Sequence, residues 1–356
     1  MYKHNSLPSR EPDFNYICHM QPIFPTTYST LSPDALATYV SQHYALENVQ
    51  CQFIVRGVGD TYLITTDKDR FILRIYRASH RTLGHIQSEV TLLNTLRDAG
   101  ISVSYAIADK NGKQIQALSA AEGTRHAVLF SYAEGRSHVL LSDNQLRNLG
   151  LEMARFHNVS ATIRLEDPRW TFDLDTTLFQ PLVAAKPYFR EDPVTYEWMV
   201  AAAERVKLAL DGIHTDRIIT GYCHFDFLPK NFHFDKNDKI TLFDFDFFGR
   251  GWLIYDIMTF RQQLLLDKLM NRLTDEEMEA AFTTFLNAYR SERPLNEEEL
   301  AAIPWLGLGF WFYYMNFHFT HDQFYPVTLL YALQGRMGML KKLLEEEWRK
   351  AIAVMS

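Results

Sequence analysis

The stretch 222–256 holds the residues whose types and spacing could carry out chemistry. Asp226, Asn231 and Asp244 offer oxygen donors, which a hard cation such as Mg²⁺ prefers as ligands. Short apolar segments on both sides of the turn 235–238 predict a β-hairpin, which would bring Asn231 and Asp244 together around one divalent ion. Asp226 would project from the preceding loop and accept a proton from an attacking hydroxyl. This arrangement indicates a phosphoryl-transfer centre.

Two upstream residues could supply and hold the charge that binds phosphate. Arg74 lies near the end of a predicted strand and is the candidate cation. Glu89 lies in the apolar stripe of the helix predicted over 82–99, and a carboxylate that faces a core needs a partner. Arg74 is the expected partner of Glu89. The alternative is that Glu89 leans out to solvent while Arg74 covers a surface.

A turn with two glycines, 57–60, comes before these residues in the chain. Gly57 and Gly59 allow the backbone to approach a ligand closely and to offer amide groups to phosphate oxygens. Together with Thr61 they are the candidate cover over the phosphates. The alternative is a hairpin turn with a purely structural role.

The pattern of apolar residues predicts the elements that position these groups. Strand-type segments at 52–55, 61–66 and 70–76 predict an antiparallel meander, followed by the helix over 82–99 and a buried strand over 126–132. Beyond this point helices dominate the pattern. The sequence therefore predicts an α+β protein with an N-terminal arm (1–30), a small β-rich lobe (31–133) and a larger, mainly helical lobe (134–356).

Composition narrows the classes of function. With 47% hydrophobic residues, 22% charged residues and a net charge of −7, the 356-residue chain can bury a core. The negative charge argues against non-specific nucleic-acid binding and favours a cationic or neutral small substrate. The three cysteines lack a C-x-x-C spacing, and the N-terminus lacks the apolar segment of a secretory signal. The apolar run 305–315 is too short to span a membrane, so a cytoplasmic protein without a membrane partner is expected.

The order of these features resembles the protein-kinase-like fold, and specifically the superfamily of aminoglycoside phosphotransferases, choline kinases and type II homoserine kinases. The signature of that superfamily reads H-G-D-x-x-x-x-N, then a hairpin with I-D-[FW]-[DE], then G-x-x-x-x-D-[LI]. The matching residues are His224, Asp226, Asn231, Asp244, Phe245, Asp246, Gly251, Asp256 and Ile257. The resemblance covers about residues 32–356 in order and element type, and it is specific only in the central stretch.

The resemblance implies a two-lobe kinase-like fold that uses ATP and Mg²⁺. Asp226 would be the catalytic aspartate, and Asn231 and Asp244 would bind Mg²⁺. His224 and Asp256 would support the loop that carries Asp226. The resemblance further implies that adenine hydrogen-bonds to the backbone of the hinge segment, which is formed by Ser131, Tyr132 and Ala133.

Two residues depart from the family pattern. Phe225 stands where the family has glycine, so the loop backbone would differ there or the ring would pack on the lobe. Arg74 stands where lysine is more usual; it keeps the positive charge but offers a planar fork in place of a compact ammonium. Neither departure removes an essential functional group, although an inactive descendant stays open.

Other classes of function remain open at this point. A hydrolytic zinc site could use His and carboxylate ligands, but the chain contains no H-E-x-x-H motif, and this hypothesis leaves Arg74 and Glu89 without roles. The candidate ligands are His224, Asp226, His233, His318 and His321. A protein-binding module on a kinase-like scaffold and a protein Ser/Thr kinase are further alternatives.

The phosphate acceptor is the least determined part of the hypothesis. Homoserine, choline-like alcohols, hydroxylated amino acids, aminoglycosides and protein hydroxyls all fit the centre. The aromatic segment 305–319 could present rings to an amino alcohol by cation–π contacts, or it could simply pack in the core. A monomer and a homodimer are both compatible with the sequence.

Overall fold

The computed structural model describes residues 24–167 and 169–355. The small lobe contains a five-stranded antiparallel sheet in the order β1-β2-β3-β5-β4, which confirms the predicted meander. Its strands are β1 (Gln50–Arg56), β2 (Asp60–Thr65), β3 (Arg70–Ile75), β4 (Ile115–Ala120) and β5 (Gly123–Ser131). Thr61 lies opposite Arg74 in the pairing of β2 with β3. The side chains of both residues therefore belong to the same face of the sheet.

Two helices cover the two faces of this sheet. Helix α1 (Pro33–Tyr44) begins after Ser32, whose hydroxyl accepts a hydrogen bond from the Ala35 amide at 3.4 Å. It packs on β1 and β2 around a small apolar cluster. Helix α2 (Leu83–Asp98) covers the other face and joins its apolar side to the core of the large lobe. Glu89 lies on that side with 1% exposure, so the prediction that it faces the core is confirmed.

The large lobe is mainly helical, and its core is continuous with that of α2. Its helices are α3 (Asp143–Ser160), α4 (Gln180–Ala185), α5 (Pro193–Asp211), α6 (Ile254–Leu269), α7 (Asp275–Glu292), α8 (Glu297–Phe319) and α9 (Leu330–Met355). Trp305, Phe310 and Phe312 are buried along α8, so the aromatic segment packs mainly in the core.

Two small strand pairs carry the central stretch. Strand β6 (Thr220–Cys223) pairs with β9 (Gly249–Trp252), and β7 (Phe232–Phe234) pairs with β8 (Ile240–Leu242). The second pair is the predicted hairpin. The Phe243 amide donates to the Asn231 carbonyl at 2.9 Å, which fixes Asn231 next to the end of the returning strand.

The predicted N-terminal arm is only partly included in the described residues, and the predicted lobe boundary stays untested. Residues 1–23 of the arm, including Cys18, lie outside the described residues. Further along, the Ser29 hydroxyl donates to Glu122 at 2.6 Å, and Arg125 donates to the Ser29 carbonyl at 2.7 Å. The boundary at 133/134 falls in the connection between β5 and α3 and stays a prediction. Within 24–167 and 169–355, every helix is too short or too polar to cross a membrane.

Candidate active site

The loop that carries Asp226 is fixed by a buried carboxylate. Asp256, in the first turn of α6, accepts hydrogen bonds from the amides of His224 at 2.9 Å and Phe225 at 2.6 Å. His157 Nε2 lies 3.0 Å from Asp256, and its Nδ1 lies 2.7 Å from the Tyr289 hydroxyl. Burial lowers the pKa of His157, so the neutral ring donates from Nε2 to the carboxylate and accepts from Tyr289. Asp256 therefore supports the loop, as the resemblance implied.

Phe225 adopts the backbone conformation that glycine favours. Its φ is +62°, and its ring is completely buried. The ring stacks on Phe172 with centroids 3.8 Å apart and planes 12° apart. A left-handed conformation costs a side-chain-bearing residue about 1–2 kcal/mol, and the buried ring offsets this cost. Phe225 thus combines a backbone conformation that glycine favours with a packing contact that glycine could not make.

Asp226 is buried, with 2% exposure, and its two oxygens differ in their contacts. Oδ2 accepts from Asn231 Nδ2 at 2.8 Å and lies 2.9 Å from Lys230 Nζ. Oδ1 has no hydrogen-bond partner among the described residues. The free oxygen is the atom that could receive a hydroxyl proton. Sequence reasoning missed Lys230, although its place four residues after Asp226 in the same loop was a usable signal.

The proposed metal ligands lie together in a cleft of about 370 Å³ between the lobes. Asn231 and Asp244 both line it. Since the amide nitrogen of Asn231 is bonded to Asp226, its carbonyl oxygen is the atom that could bind a cation. Arg74 also lines the cleft, and its buried Nε has no partner among the described residues. Two oxygen ligands and an incompletely bonded guanidinium fit a magnesium nucleotide.

The expected pairing of Arg74 with Glu89 was wrong. Arg74 Nη1 bonds Asp244 Oδ1 at 2.6 Å, whereas Glu89 accepts from Arg169 Nη2 at 2.8 Å and from the Tyr76 hydroxyl at 3.1 Å. Burial would lower the pKa of Arg74, but the nearby carboxylates, Asp244 first, raise it. Arg169 comes from the irregular connection after α3, where no periodic pattern marks it. Arg74 is therefore held by a proposed metal ligand.

Arg169 belongs to a buried ion network that consists of Glu89, Asp246, Arg81 and Arg169. Arg81 grips Asp246 through two hydrogen bonds of 2.9 and 2.8 Å, and Arg169 Nη1 lies 3.2 Å from the same carboxylate. Burial would raise the pKa of Asp246, but the surrounding guanidinium groups hold it well below its ordinary value. Two cations and two anions balance within the network, and they join α2 to the segment after Asp244.

The hinge segment is only partly available to a ligand. Tyr132 and Ala133 line the cleft. Ser131 is outside the lining, because its amide donates to the Tyr105 carbonyl at 2.9 Å and its carbonyl accepts from Ser104 Oγ at 2.5 Å. The contact of Ser131 with adenine stays a prediction, which would have to use the second lone pair of its carbonyl oxygen. The Ala133 carbonyl lies 2.7 Å from His233 Nδ1, which leaves the Ala133 amide for a ligand.

The glycine turn lies against the large lobe. The Gly57 carbonyl accepts from Gln323 Nε2 at 3.0 Å, and a Cβ on Gly59 would lie 2.7 Å from the Ile75 carbonyl oxygen. Close packing therefore explains the glycine at 59. Thr61 lines the cleft, whereas the lining does not include either glycine, so their role as a cover stays a prediction.

The ligands of the alternative zinc site are used elsewhere. His233 bonds Ala133, His318 Nδ1 lies 3.2 Å from Arg336 Nη1, and His321 packs on Phe317 with ring centroids 3.8 Å apart. In the described part of the chain, no cluster of three or more His, Cys, Asp or Glu side chains could hold a metal ion. The geometry gives the hydrolase hypothesis no support.

Similarity to known proteins agrees with this site. Residues 50–295 match the phosphotransferase enzyme family. A homoserine kinase of Rhodopseudomonas palustris (strain TIE-1) is 26% identical over 289 residues, covering 79% of this chain and 82% of the relative.

Two solved structures resemble the whole fold. An amicoumacin kinase in complex with AMP-PNP, Ca²⁺ and Ami has a TM-score of 0.70 at 22% identity, covering 90% of this chain and 94% of its own. A microcompartment-associated aminopropanol kinase has a TM-score of 0.67 at 22% identity, covering 88% and 98%. The expected protein-kinase-like two-lobe architecture is thereby confirmed.

Proposed function

The chain belongs to the phosphotransferase enzyme family, as the resemblance predicted, and from this premise we propose an ATP- and Mg²⁺-dependent kinase that phosphorylates the hydroxyl of a small metabolite. The observation that carries the proposal is the carboxylate of Asp226. It is buried, Asn231 and Lys230 contact its Oδ2 but not its Oδ1, and it neighbours Asn231 at the cleft. The names of the similar kinases favour an amino alcohol or a hydroxylated amino acid as the acceptor.

Each residue has a separate task in this mechanism. Asp226 Oδ1 orients the acceptor hydroxyl and takes its proton as the oxygen attacks the γ-phosphorus, while the bond from the γ-phosphorus to the β–γ bridging oxygen breaks and ADP leaves with that oxygen. Lys230 places a positive charge 2.9 Å from Asp226 Oδ2 and so helps to hold the carboxylate in position. Asn231 and Asp244 would hold Mg²⁺, which neutralises charge on the phosphates when bound. Arg74 would exchange its bond to Asp244 for a bond to phosphate.

The first test is the substitution Asp226→Asn. Loss of the proton acceptor should lower kcat about 10²- to 10⁴-fold, while the KM for ATP stays unchanged because Asp226 does not line the nucleotide cleft. Asp216→Asn, on an exposed turn, is the matched control. Turnover that survives in Asp226→Asn would remove Asp226 from the mechanism.

A second test needs no acceptor. At a concentration one hundred times Kd, ATP with Mg²⁺ should stabilise the folded protein by about 2.7 kcal/mol. The Tm of the protein should rise accordingly. Asp244→Asn should weaken this effect, because it removes an anionic ligand of the cation. Stabilisation by zinc without nucleotide would instead favour the hydrolase hypothesis.

A further inference from the structure

Arg336, on α9, is a half-buried cation without a carboxylate partner. Its Nη1 lies 3.2 Å from His318 Nδ1, and in the described part of the chain no acidic side chain lies within ion-pair distance of it. Burial lowers the pKa of Arg336, and no carboxylate opposes that effect. Partial burial removes some of the water around this cation without supplying an anion from the described residues, so an anion from outside the protein would stabilise it.

His318 prepares a second donor beside Arg336. Burial, followed by the charge of Arg336, lowers the pKa of His318 to about 4. The ring is therefore neutral near pH 7. Since Nδ1 accepts from the guanidinium, the ring proton is on Nε2. Arg336 and His318 together can offer several N–H groups to one anion.

This pair is connected to the proposed catalytic aspartate. The ring of Tyr314 lies 6.3 Å from that of His318, and its buried hydroxyl is directed to the carboxylate of Asp226. After burial, the charge of Asp226 raises the pKa of Tyr314, which places the hydroxyl beside that carboxylate. Lys230 contacts Asp226 on one side and acts on His318 by its charge on the other.

Cations near His318 offset the negative charge that the whole chain carries. The net charge of −7 favoured a cationic acceptor, but Lys230 contacts Asp226, and the charges of Lys230 and Arg336 both act on His318. Asp322, the nearby acidic residue after α8, lies 3.5 Å from Arg77 and is directed to that partner. Charges within a few ångströms outweigh distant surface charges, which solvent and salt screen. A ligand that reaches from Asp226 to Arg336 would therefore meet a cation at its far end.

We propose that the acceptor carries a carboxylate, which Arg336 and His318 bind while the acceptor hydroxyl lies at Asp226. This inference rests on the proposed kinase function and deepens it. A planar guanidinium suits a carboxylate because two parallel N–H bonds can form. Tyr314 would lie between the two ends of the acceptor. The preferred substrates are then hydroxy acids or hydroxylated amino acids rather than simple amino alcohols.

The test compares alcohols that differ only by the carboxylate. Homoserine is assayed beside the aminopropanol that its decarboxylation would leave, serine beside ethanolamine, and glycerate beside ethylene glycol. We expect at least a 10-fold higher kcat/KM for the carboxylate-bearing member of any pair that is phosphorylated. Arg336→Gln should lower that kcat/KM about 10- to 100-fold, the range of hydrogen bonds to charged groups, and leave the aminopropanol reaction and the KM for ATP unchanged.

Two variants separate recognition from folding. Arg349→Gln removes an exposed arginine from the same helix and should leave both kcat/KM values unchanged. Arg336→Lys keeps the charge but loses the fork, so it should retain part of the preference. A structural role for Arg336 would instead change the Tm and the reactions of both members of a pair equally.

Binding of each compound to the ADP and Mg²⁺ form, measured by calorimetry, covers acceptors that do not turn over. The inference is overturned if the member without a carboxylate is preferred, if Arg336→Gln affects both members equally, or if no carboxylate-bearing compound binds. Failure of the kinase function looks different: ATP with Mg²⁺ would not raise the Tm, whatever the acids do. Homoserine binding that is lost in Arg336→Gln would then still support the carboxylate site.

Discussion

Arg169 and Arg336 are two arginines in opposite electrostatic situations. The Arg169 side chain is 0% exposed and touches two carboxylates, Glu89 and Asp246. Arg336 is half-buried, and within the described part of the chain its side chain forms one hydrogen bond, to the neutral ring of His318. The fold balances charge completely in the first region and leaves it unbalanced in the second. Because an uncompensated buried charge opposes folding, the difference separates an arginine that holds the lobes together from one that is kept for a ligand.

Arg74 lies between these extremes. It has one carboxylate partner, Asp244, but that partner is 43% exposed and is also a proposed metal ligand. The buried ion network does not need Arg74 to balance its charge. The bond from Arg74 to Asp244 can therefore exchange when a nucleotide enters, whereas the bonds of Arg169 stay closed.

Substitution of Arg169 is the most direct test of the difference between the two arginines. Arg169→Met leaves Glu89 without its cation, so the free energy of unfolding should fall by about 3–5 kcal/mol, measured by urea denaturation. Arg164→Met, at an exposed position of the same connection, should change it by less than about 0.5 kcal/mol. A loss below about 1 kcal/mol in Arg169→Met would show that the network does not hold the fold.

A second prediction concerns the buried ring of Phe225, which stacks on Phe172. Phe225→Ala should cost about 3–5 kcal/mol of unfolding free energy because it empties a buried ring site. Phe225→Gly removes the same ring but relieves the positive φ, so it should be more stable than Phe225→Ala by about 1–2 kcal/mol. If Phe225→Ala were instead more stable than Phe225→Gly, the positive φ at residue 225 would not affect stability as proposed.

The free energy of unfolding should depend on pH through His318 and His321. Burial is the first cause that lowers the pKa of both His318 and His321 from 6.5 to about 4. Their neutral forms favour the folded state above pH 6.5, so stability should fall as the pH drops from 6.5 towards 4. Each histidine contributes at most about 1.4 kcal/mol per pH unit, measured by urea denaturation across this range.

The double substitution His318→Gln and His321→Gln should flatten this pH dependence. His157, whose pKa burial also lowers, stays in place, so part of the slope should remain. His214→Gln, at an exposed position, should leave the slope unchanged. An equal slope in the double variant and the wild type would assign the acid sensitivity to other groups.

The smallest expected effect sharpens the comparison most. Without ligand, Arg336→Gln should change the free energy of unfolding by less than about 0.5 kcal/mol, and towards higher stability, because it removes a cation that burial disfavours. Homoserine should stabilise the wild type against urea but not this variant. A loss of several kcal/mol, as in Arg169→Met, would make Arg336 another structural arginine.

Much of the fold was predictable because its signals are local. The alternation of apolar residues gave the meander, and the turn 235–238 gave the hairpin. The stripe in α2 placed Glu89 correctly in the core. The spacing of Asp226 and Asn231 likewise predicted their neighbourhood, because both lie in one short loop. The roles of the site residues themselves stay predictions that the experiments above test.

The sequence by itself determined the order of elements, the loop that carries Asp226 and the family, since periodicity, turn chemistry and motif spacing all act over a few residues. Only the tertiary structure decided the charge partners. Arg169 bonds Glu89, which lies 80 positions earlier in the chain, and the ring of Phe225 stacks on that of Phe172, which is also distant in sequence. The charge of Arg336 is uncompensated because no carboxylate of the described residues lies within ion-pair distance of it. Coulomb energy and burial depend on distance in space, which a linear pattern does not contain.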